Sequence, residues 1–297
     1  MRLANLRRGD ALLPAVVVGD VAYELTLGLN SIAEYERLIG AGPALLFDLA
    51  IASGLPDMAE SLAQAISRGT LREHSLDDLA APVTRPGKIV CVGRNYAEHA
   101  QELGHDVPTR PILFAKFATA IIGPHDDIVR PADVPDLDYE GELCVVIGRG
   151  GRHIPRDRAL DHVAGYCCAN DVSARTAQLK SGDQWLRGKS YDTFCPLGPA
   201  LVTRDEVPDP QALRIRTWVD GELRQDASTA TMIFDVATLI SYCSDAFTLE
   251  PGDIILTGTP PGVGMGRTPP AWLEPGQLVE VEISGVGRIA NRVISDG

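Results

Sequence analysis

The chain has 297 residues, 45% hydrophobic and 23% charged, which excludes a disordered or fibrous protein and, at roughly 150 residues per domain, suits about two domains. Its 27 basic and 40 acidic residues leave a net charge of −13, which argues against nucleic acid and anionic membrane surfaces as partners. An anionic small molecule can bind such a chain only beside a metal or local Lys and Arg.

In chain order, Arg7-Arg8 precedes a short apolar run broken by Pro14, which reads as a first strand and hairpin rather than a secretory or twin-arginine signal. No stretch approaches the ~18 apolar residues of a membrane-spanning helix. Residues 2–7, 12–18 and 21–26 are strand candidates separated by Gly9-Asp10 and Gly19-Asp20 turns. Two or three helices follow. In one of them Asp57 is the expected cap, and Met58, Leu62, Ala65 and Ile66 share a face. Residues 1–82 are thus expected to form a small N-terminal α+β domain. Residues 81–87, with Pro82, Pro86 and Gly87, read as the linker to a second domain over 83–297.

The second part changes texture. Strands are expected at 88–92, 120–122, 140–147, 162–169, 200–203, 214–219, 253–257 and 277–293, bounded by Gly and Pro. Residues 96–103 read as a helix, and a longer one is expected over 231–243. This spacing predicts a β-rich α+β fold rather than βαβ repeats. Six cysteines without a C-x-x-C pair lie mostly in apolar runs and read as reduced, buried residues of a cytoplasmic protein, against a thiolate zinc site. Three glycine-rich stretches fail as nucleotide motifs. Asp183, Arg267 and His153 stand where the P-loop of Gly188-Lys189-Ser190 and the dinucleotide turns at Gly262 and Gly148 would need glycine.

The segment Asp138-Tyr139-Glu140-Gly141-Glu142 opens the apolar run Leu143-Cys144-Val145-Val146. Along a strand, residues two apart share a face, so Glu140 and Glu142 project together with Gly141 opposite. Two carboxylates that close call for a well-solvated face or a cation between them. Asp171, at the end of another apolar strand, is a third candidate, and an oxygen-only set suits Mg²⁺ or Mn²⁺, with Ca²⁺ the weaker candidate. His99 and Glu102 lie three apart on a helix face, where a carboxylate can orient an imidazole. Arg94, Lys116 and Arg175 are open to two readings, substrate carboxylate binding or structural ion pairs. His74, His105, His125, His153 and His162 read as ordinary surface residues.

Around these carboxylates the motifs Gly93-Arg94-Asn95-Tyr96-Ala97-Glu98-His99, Tyr139-Glu140-Gly141-Glu142, Asn170-Asp171-Val172-Ser173-Ala174-Arg175, Gly188-Lys189-Ser190-Tyr191-Asp192-Thr193 and Leu256-Thr257-Gly258-Thr259-Pro260 stand in the order of the fumarylacetoacetate hydrolase family. The chain resembles that family over residues 86–295. The resemblance implies a mixed β-roll and a homodimer. It implies Glu140, Glu142 and Asp171 as metal ligands, His99 as general base oriented by Glu102, and Lys189 as the residue that polarises the substrate. It implies Gln178 in the substrate pocket and Thr259, on the glycine-rich loop with Gly258, against substrate oxygens; Arg94 joins this substrate-binding set as a candidate on its charge alone. The fourth carboxylate of the tyrosine-catabolic hydrolases has no counterpart in Ile89-Val90-Cys91-Val92-Gly93, which resembles the smaller three-carboxylate branch. The expected function is divalent-metal-dependent hydrolysis of a C–C bond in a small anionic 2-oxo acid with a 1,3-dicarbonyl core, in the breakdown of aromatic compounds or sugar acids. Decarboxylation or keto–enol isomerisation at the same site is the rival, and a non-catalytic β-rich binding protein the alternative of another class.

Overall fold

The computed structural model describes residues 1–9, 11–25, 55–180, 182 and 184–296; the expected helices within 26–54 lie outside them. At the centre is Gly141–Ile147, whose seven residues are all buried. A strand buried on both faces needs apolar side chains throughout, and its alternation divides the core in two. Cys144 and Val146 join one cluster with Cys167, Ala169, Phe194 and Leu197. Leu143, Val145 and Ile147 join another with Tyr166, Ile215, Ile240 and Ile289.

The central strand pairs antiparallel with Val163–Asn170 on one side and with Ile254–Leu256 on the other. Beyond Ile254–Leu256 come Ile89–Gly93, in parallel, and then Ile112–Ala115. Beyond Val163–Asn170 comes Cys195–Thr203, and next to it Arg2–Arg8. The N-terminal strands Arg2–Arg8, Ala11–Val18 and Val21–Glu24 therefore extend the same twelve-stranded sheet by backbone pairing. In the expected linker, Ala81, Pro82 and Val83 are buried, and Asn5 Nδ2 donates to the carbonyls of Ala81 and Pro82.

A second sheet of five strands runs in the order Glu222–Ser228, Arg214–Val219, Leu278–Ile283, Gly287–Ser295, Ile128–Arg130. With the helix Val236–Ala246 it covers one face of the central strand. That helix begins later than expected because Asp235 caps it, accepting from Thr238 N at 2.7 Å. Val236, Leu239, Ile240 and Cys243 form its buried stripe. The helix expected to start at Asp57 starts at Leu55. The run expected as one strand over 277–293 is a hairpin turning at 284–286. Among the described residues all six cysteines are free and buried, and no helix is long and apolar enough to cross a membrane.

Candidate active site

The site lies where the central strand begins. Glu140 immediately precedes Gly141–Ile147, and the antiparallel register sets Gly141 opposite Asn170 and Glu142 opposite Ala169. Asp171 therefore emerges beside Glu140: its N–H donates to Glu140 O at 2.8 Å, while Asn170 Oδ1 accepts from Glu140 N at 3.0 Å. Glu140, Glu142 and Asp171 each offer an oxygen within 4.8 Å of the others, and all three are buried.

Strand alternation sets the two glutamates on one face, and Gly141 between them faces the other way. Its own face is closed by the second sheet, and a Cβ there would lie 2.2 Å from Thr217 Oγ1. Gly141→Ala is expected to destabilise the chain by about 1–3 kcal/mol through overpacking. A urea melt showing a lower midpoint at unchanged slope checks this.

Three buried cations answer the acids. Lys189 Nζ bonds Glu140 Oε2 at 2.9 Å and Asp171 Oδ2 at 2.8 Å, and Lys116 Nζ bonds Asp171 Oδ1 at 2.5 Å. Arg175 is shared between Asp138 at 2.7 Å and Glu140 at 2.6 Å. Of the two readings open for Lys116 and Arg175, the ion pair is the one observed. Burial favours a protonated Glu140, but Lys189 and Arg175 outweigh it and hold that carboxyl down at about 2. Glu142 goes the other way: burial, Asp171 and Glu140 together push it well above the ordinary carboxylate range.

That asymmetry fits a divalent cation. With Arg175 balanced largely by Asp138, three carboxylates face two ammonium groups, which leaves one uncompensated negative charge, centred on Glu142. A divalent cation among the three oxygens would convert this to one positive charge, and so would give an acidic chain a local attraction for an anionic substrate. The donor set is all oxygen, as hard cations require.

A cleft opens above the triad, lined by Glu140, Lys189, Arg175, Gln178, Thr259, His99 and Arg94, with Trp185, Phe114, Leu103, His105 and Met265 around them. Glu142 and Asp171, 1% and 0% exposed, lie beneath it. His99 and Glu102 sit on the short helix Ala97–Glu102, with His99 Nδ1 3.2 Å from Glu102 Oε2. Glu102 Oε1 accepts from Gly262 N at 2.9 Å, so the carboxylate is held from both sides. With Nδ1 so engaged, the other ring nitrogen of His99 is the one free for chemistry.

One loop, 258–265, secures three acids by its backbone: Gly258 N donates to Glu142 Oε2, Gly262 N to Glu102 Oε1, and Gly264 N with Met265 N to Asp138. Gly258 has a φ of 95°, where a side chain would be strained and would meet Asn95 Cβ at 2.7 Å. Its N–H is thus committed to Glu142, and Gly258 is not among the cleft residues. Lys189 ends a four-residue helix, Leu186–Lys189.

Arg94 has a left-handed φ of 56° and stacks over Trp185, with 5.5 Å from guanidinium to ring centroid. Burial lowers its pKa, and among the described residues it forms no ion pair. His105, expected to be plain surface, lines the cleft beside it; burial and the Arg94 charge lower its pKa. Asp138, Trp185 and Gln225 are site-building residues that the sequence reading did not single out.

The sequence model of the fumarylacetoacetate (FAA) hydrolase C-terminal domain matches residues 88–294, which include every site residue named above. The chain belongs to the fumarylacetoacetate hydrolase family. It is an enzyme of that family, and its β-rich architecture of mixed sheets is the family's fold. Over 215 residues it is 54% identical to oxaloacetate tautomerase FAHD2B, mitochondrial, of Bos taurus, covering 72% of this chain and 68% of the relative. The maleylpyruvate hydrolase of Sphingobium sp. SYK-6, solved with manganese(II) and pyruvate, superposes with a TM-score of 0.80 at 31% identity and full coverage of both chains. The 5-carboxymethyl-2-hydroxymuconate delta-isomerase of Mycobacterium smegmatis gives 0.74 at 34%, again over the whole of both chains. The fumarylacetoacetate hydrolase family thus contributes tautomerase, hydrolase and isomerase relatives, and the acidic triad is a candidate divalent-metal site.

Proposed function

We propose that the chain interconverts the keto and enol forms of a small dicarboxylic 2-oxo acid of the oxaloacetate kind. The observation that carries this reading is the 54% identity to an oxaloacetate tautomerase over 72% of the chain. The cleft supports it: it is small, and Arg94, His99, Gln178 and Lys189 line it with polar groups suited to a small anionic acid.

The triad would hold Mg²⁺ or Mn²⁺, Mn²⁺ being the ion in the maleylpyruvate hydrolase structure. When bound, the cation supplies Lewis-acid charge at the 2-oxo acid end of the substrate. The chain's own residues do the rest. The free ring nitrogen of His99 takes a proton from the carbon next to the 2-oxo group, with Glu102 steadying the imidazolium that forms. The electron pair of that C–H bond becomes the new C=C bond and the carbonyl π pair moves onto oxygen, which takes a proton from water; the hydroxide so formed takes the proton from the imidazolium and restores His99. Lys189 and Gln178 hold the 2-oxo carboxylate end, and Arg94 meets the distal carboxylate at the outer end of the cleft.

Arg94→Gln is accordingly expected to raise KM for oxaloacetate about ten- to a hundredfold with kcat little changed. A hydrogen bond to a charged group is worth about 1.5–3 kcal/mol, and about 1.4 kcal/mol is tenfold. Steady-state kinetics with oxaloacetate and with a 2-oxo monoacid check this. An equal rise for both would remove Arg94 from the distal site.

Hydrolysis of a C–C bond in an acylpyruvate-like substrate is the second reading, favoured by the likeness to maleylpyruvate hydrolase. There His99 would take its proton from water instead of carbon. Following enol-oxaloacetate decay alongside pyruvate release from acylpyruvates, with Mg²⁺ and Mn²⁺, tests the two together. Faster enol decay without acylpyruvate cleavage supports the first; the reverse pattern supports the second and sinks the first.

A further inference from the structure

Gln225 is 1% exposed, lies on the edge strand Glu222–Ser228 of the second sheet and does not line the cleft. A buried amide has donors and an acceptor to satisfy, and this one uses them on the frame of the active site. Its Oε1 accepts from Gly141 N at 3.0 Å. Its Nε2 donates to Thr259 Oγ1 at 2.7 Å and to Pro260 O at 2.8 Å. Thr259 Oγ1 in turn donates to Gly141 O at 2.9 Å.

The peptide groups on both sides of Gly141, which carry Glu140 and Glu142 on their far ends, are therefore held by one closed ring of hydrogen bonds. Gln225 takes the N–H, and Thr259 takes the carbonyl. The ring also fixes proton direction. A hydroxyl has one proton, and that of Thr259 is committed to Gly141 O, while one of its lone pairs receives the Gln225 amide. What remains for the cleft at Thr259 Oγ1 is a lone pair, an acceptor and not a donor.

We propose that Gln225 is a positioning residue of the active site: it clamps the Glu140–Gly141–Glu142 backbone to the Thr259 loop, sets the affinity of the triad for a divalent cation, and leaves Thr259 facing the cleft as an acceptor for a substrate O–H. The cation-affinity part stands without the tautomerase reading. The acceptor part rests on it, because an enol carries an O–H at that end of the substrate and its keto form does not.

The test uses the full chain with Mn²⁺ as the probe, its binding read from the loss of the free-ion electron paramagnetic resonance signal, and with kcat and KM for oxaloacetate measured separately. Gln225→Met keeps the length of the side chain and removes all three hydrogen bonds. It should weaken Mn²⁺ binding about tenfold or more, the scale for losing an outer partner of a metal site. It should also lower kcat about tenfold with KM nearly unchanged. Gln225→Glu keeps the shape and the acceptor for Gly141 N, and should lose less on both measures. Because Gln225 and Thr259 belong to one ring of hydrogen bonds around Gly141, the double variant Gln225→Met/Thr259→Val should weaken Mn²⁺ binding by less than the sum of the two single losses, a non-additivity expected of groups in one network.

Folding is checked by circular dichroism. If Gln225→Met does not fold, the same cycle is run with Gln225→Glu. A folded variant that binds Mn²⁺ as the wild type does, or losses that simply add in the double variant, would overturn the clamp. Weakened Mn²⁺ binding with no effect on turnover would overturn the acceptor role alone and would leave the clamp in place.

Discussion

EDTA is expected to abolish turnover, Mg²⁺ or Mn²⁺ to restore it, and the restored enzyme to melt at a higher temperature than the stripped one. A cation that binds only the folded chain stabilises it by about 2.7 kcal/mol at a hundred times its dissociation constant. Glu142→Gln should remove both the restoration and the metal-dependent rise. Glu142 is the carboxylate of the triad that neither buried lysine bonds; its one hydrogen bond among the described residues comes from Gly258 N at 2.7 Å. The amide keeps that partner and the side-chain volume, so the variant should fold. Differential scanning fluorimetry of both proteins with and without Mn²⁺ gives the readout. An undiminished thermal response in Glu142→Gln would remove Glu142 from the metal site.

The second large effect concerns the dyad. His99→Ala should slow keto–enol conversion about a hundredfold or more, the usual scale for a lost general base. Glu102→Gln should cost less, since the imidazole stays and only its orienting charge is lost. Any decarboxylation of oxaloacetate should survive both changes far better. That reaction needs the triad, the cation and an oriented carboxylate, and none of these is touched. The assay pairs enol decay with carbon dioxide release for the wild type and both variants at saturating Mn²⁺. Equal losses in the two reactions would make His99 a binding or closing element instead of the base.

The clustered carboxylates were legible because strand alternation is local: Glu-Gly-Glu leading into an apolar run specifies a face, and Asp171 marks the exit of a neighbouring strand. His99 and Glu102 were legible for the same reason, as an i, i+3 pair. Arg94, Gln178, Thr259 and Lys189 became candidates through the ordered motifs rather than through chemistry readable in isolation. What stayed hidden depends on contacts distant in the chain. Gln225 reaches Gly141 across 84 residues and Asp138 reaches Gly264 across 126, and no local pattern marks either. The pairing of Arg2–Arg8 with Cys195–Thr203 is hidden in the same way: the strands could be read, but their common sheet could not. The helix that ends at Lys189 has only four residues, too few positions to show a helical period in the sequence. His105 looked like surface because the residues that enclose it, Arg94 and the cleft wall, come from elsewhere in the chain.

A cation held by Glu140, Glu142 and Asp171 and the base His99 are expected to act on the same small 2-oxo acid. The decisive experiment is deuterium exchange at the carbon beside the 2-oxo group of oxaloacetate, followed by proton NMR in D₂O against a control of buffer with Mn²⁺. The expected result is exchange accelerated by the Mn²⁺-loaded chain ahead of any pyruvate formation, with the acceleration lost in both His99→Ala and Glu142→Gln. Exchange no faster than the control, or acceleration that survives both substitutions, would contradict it.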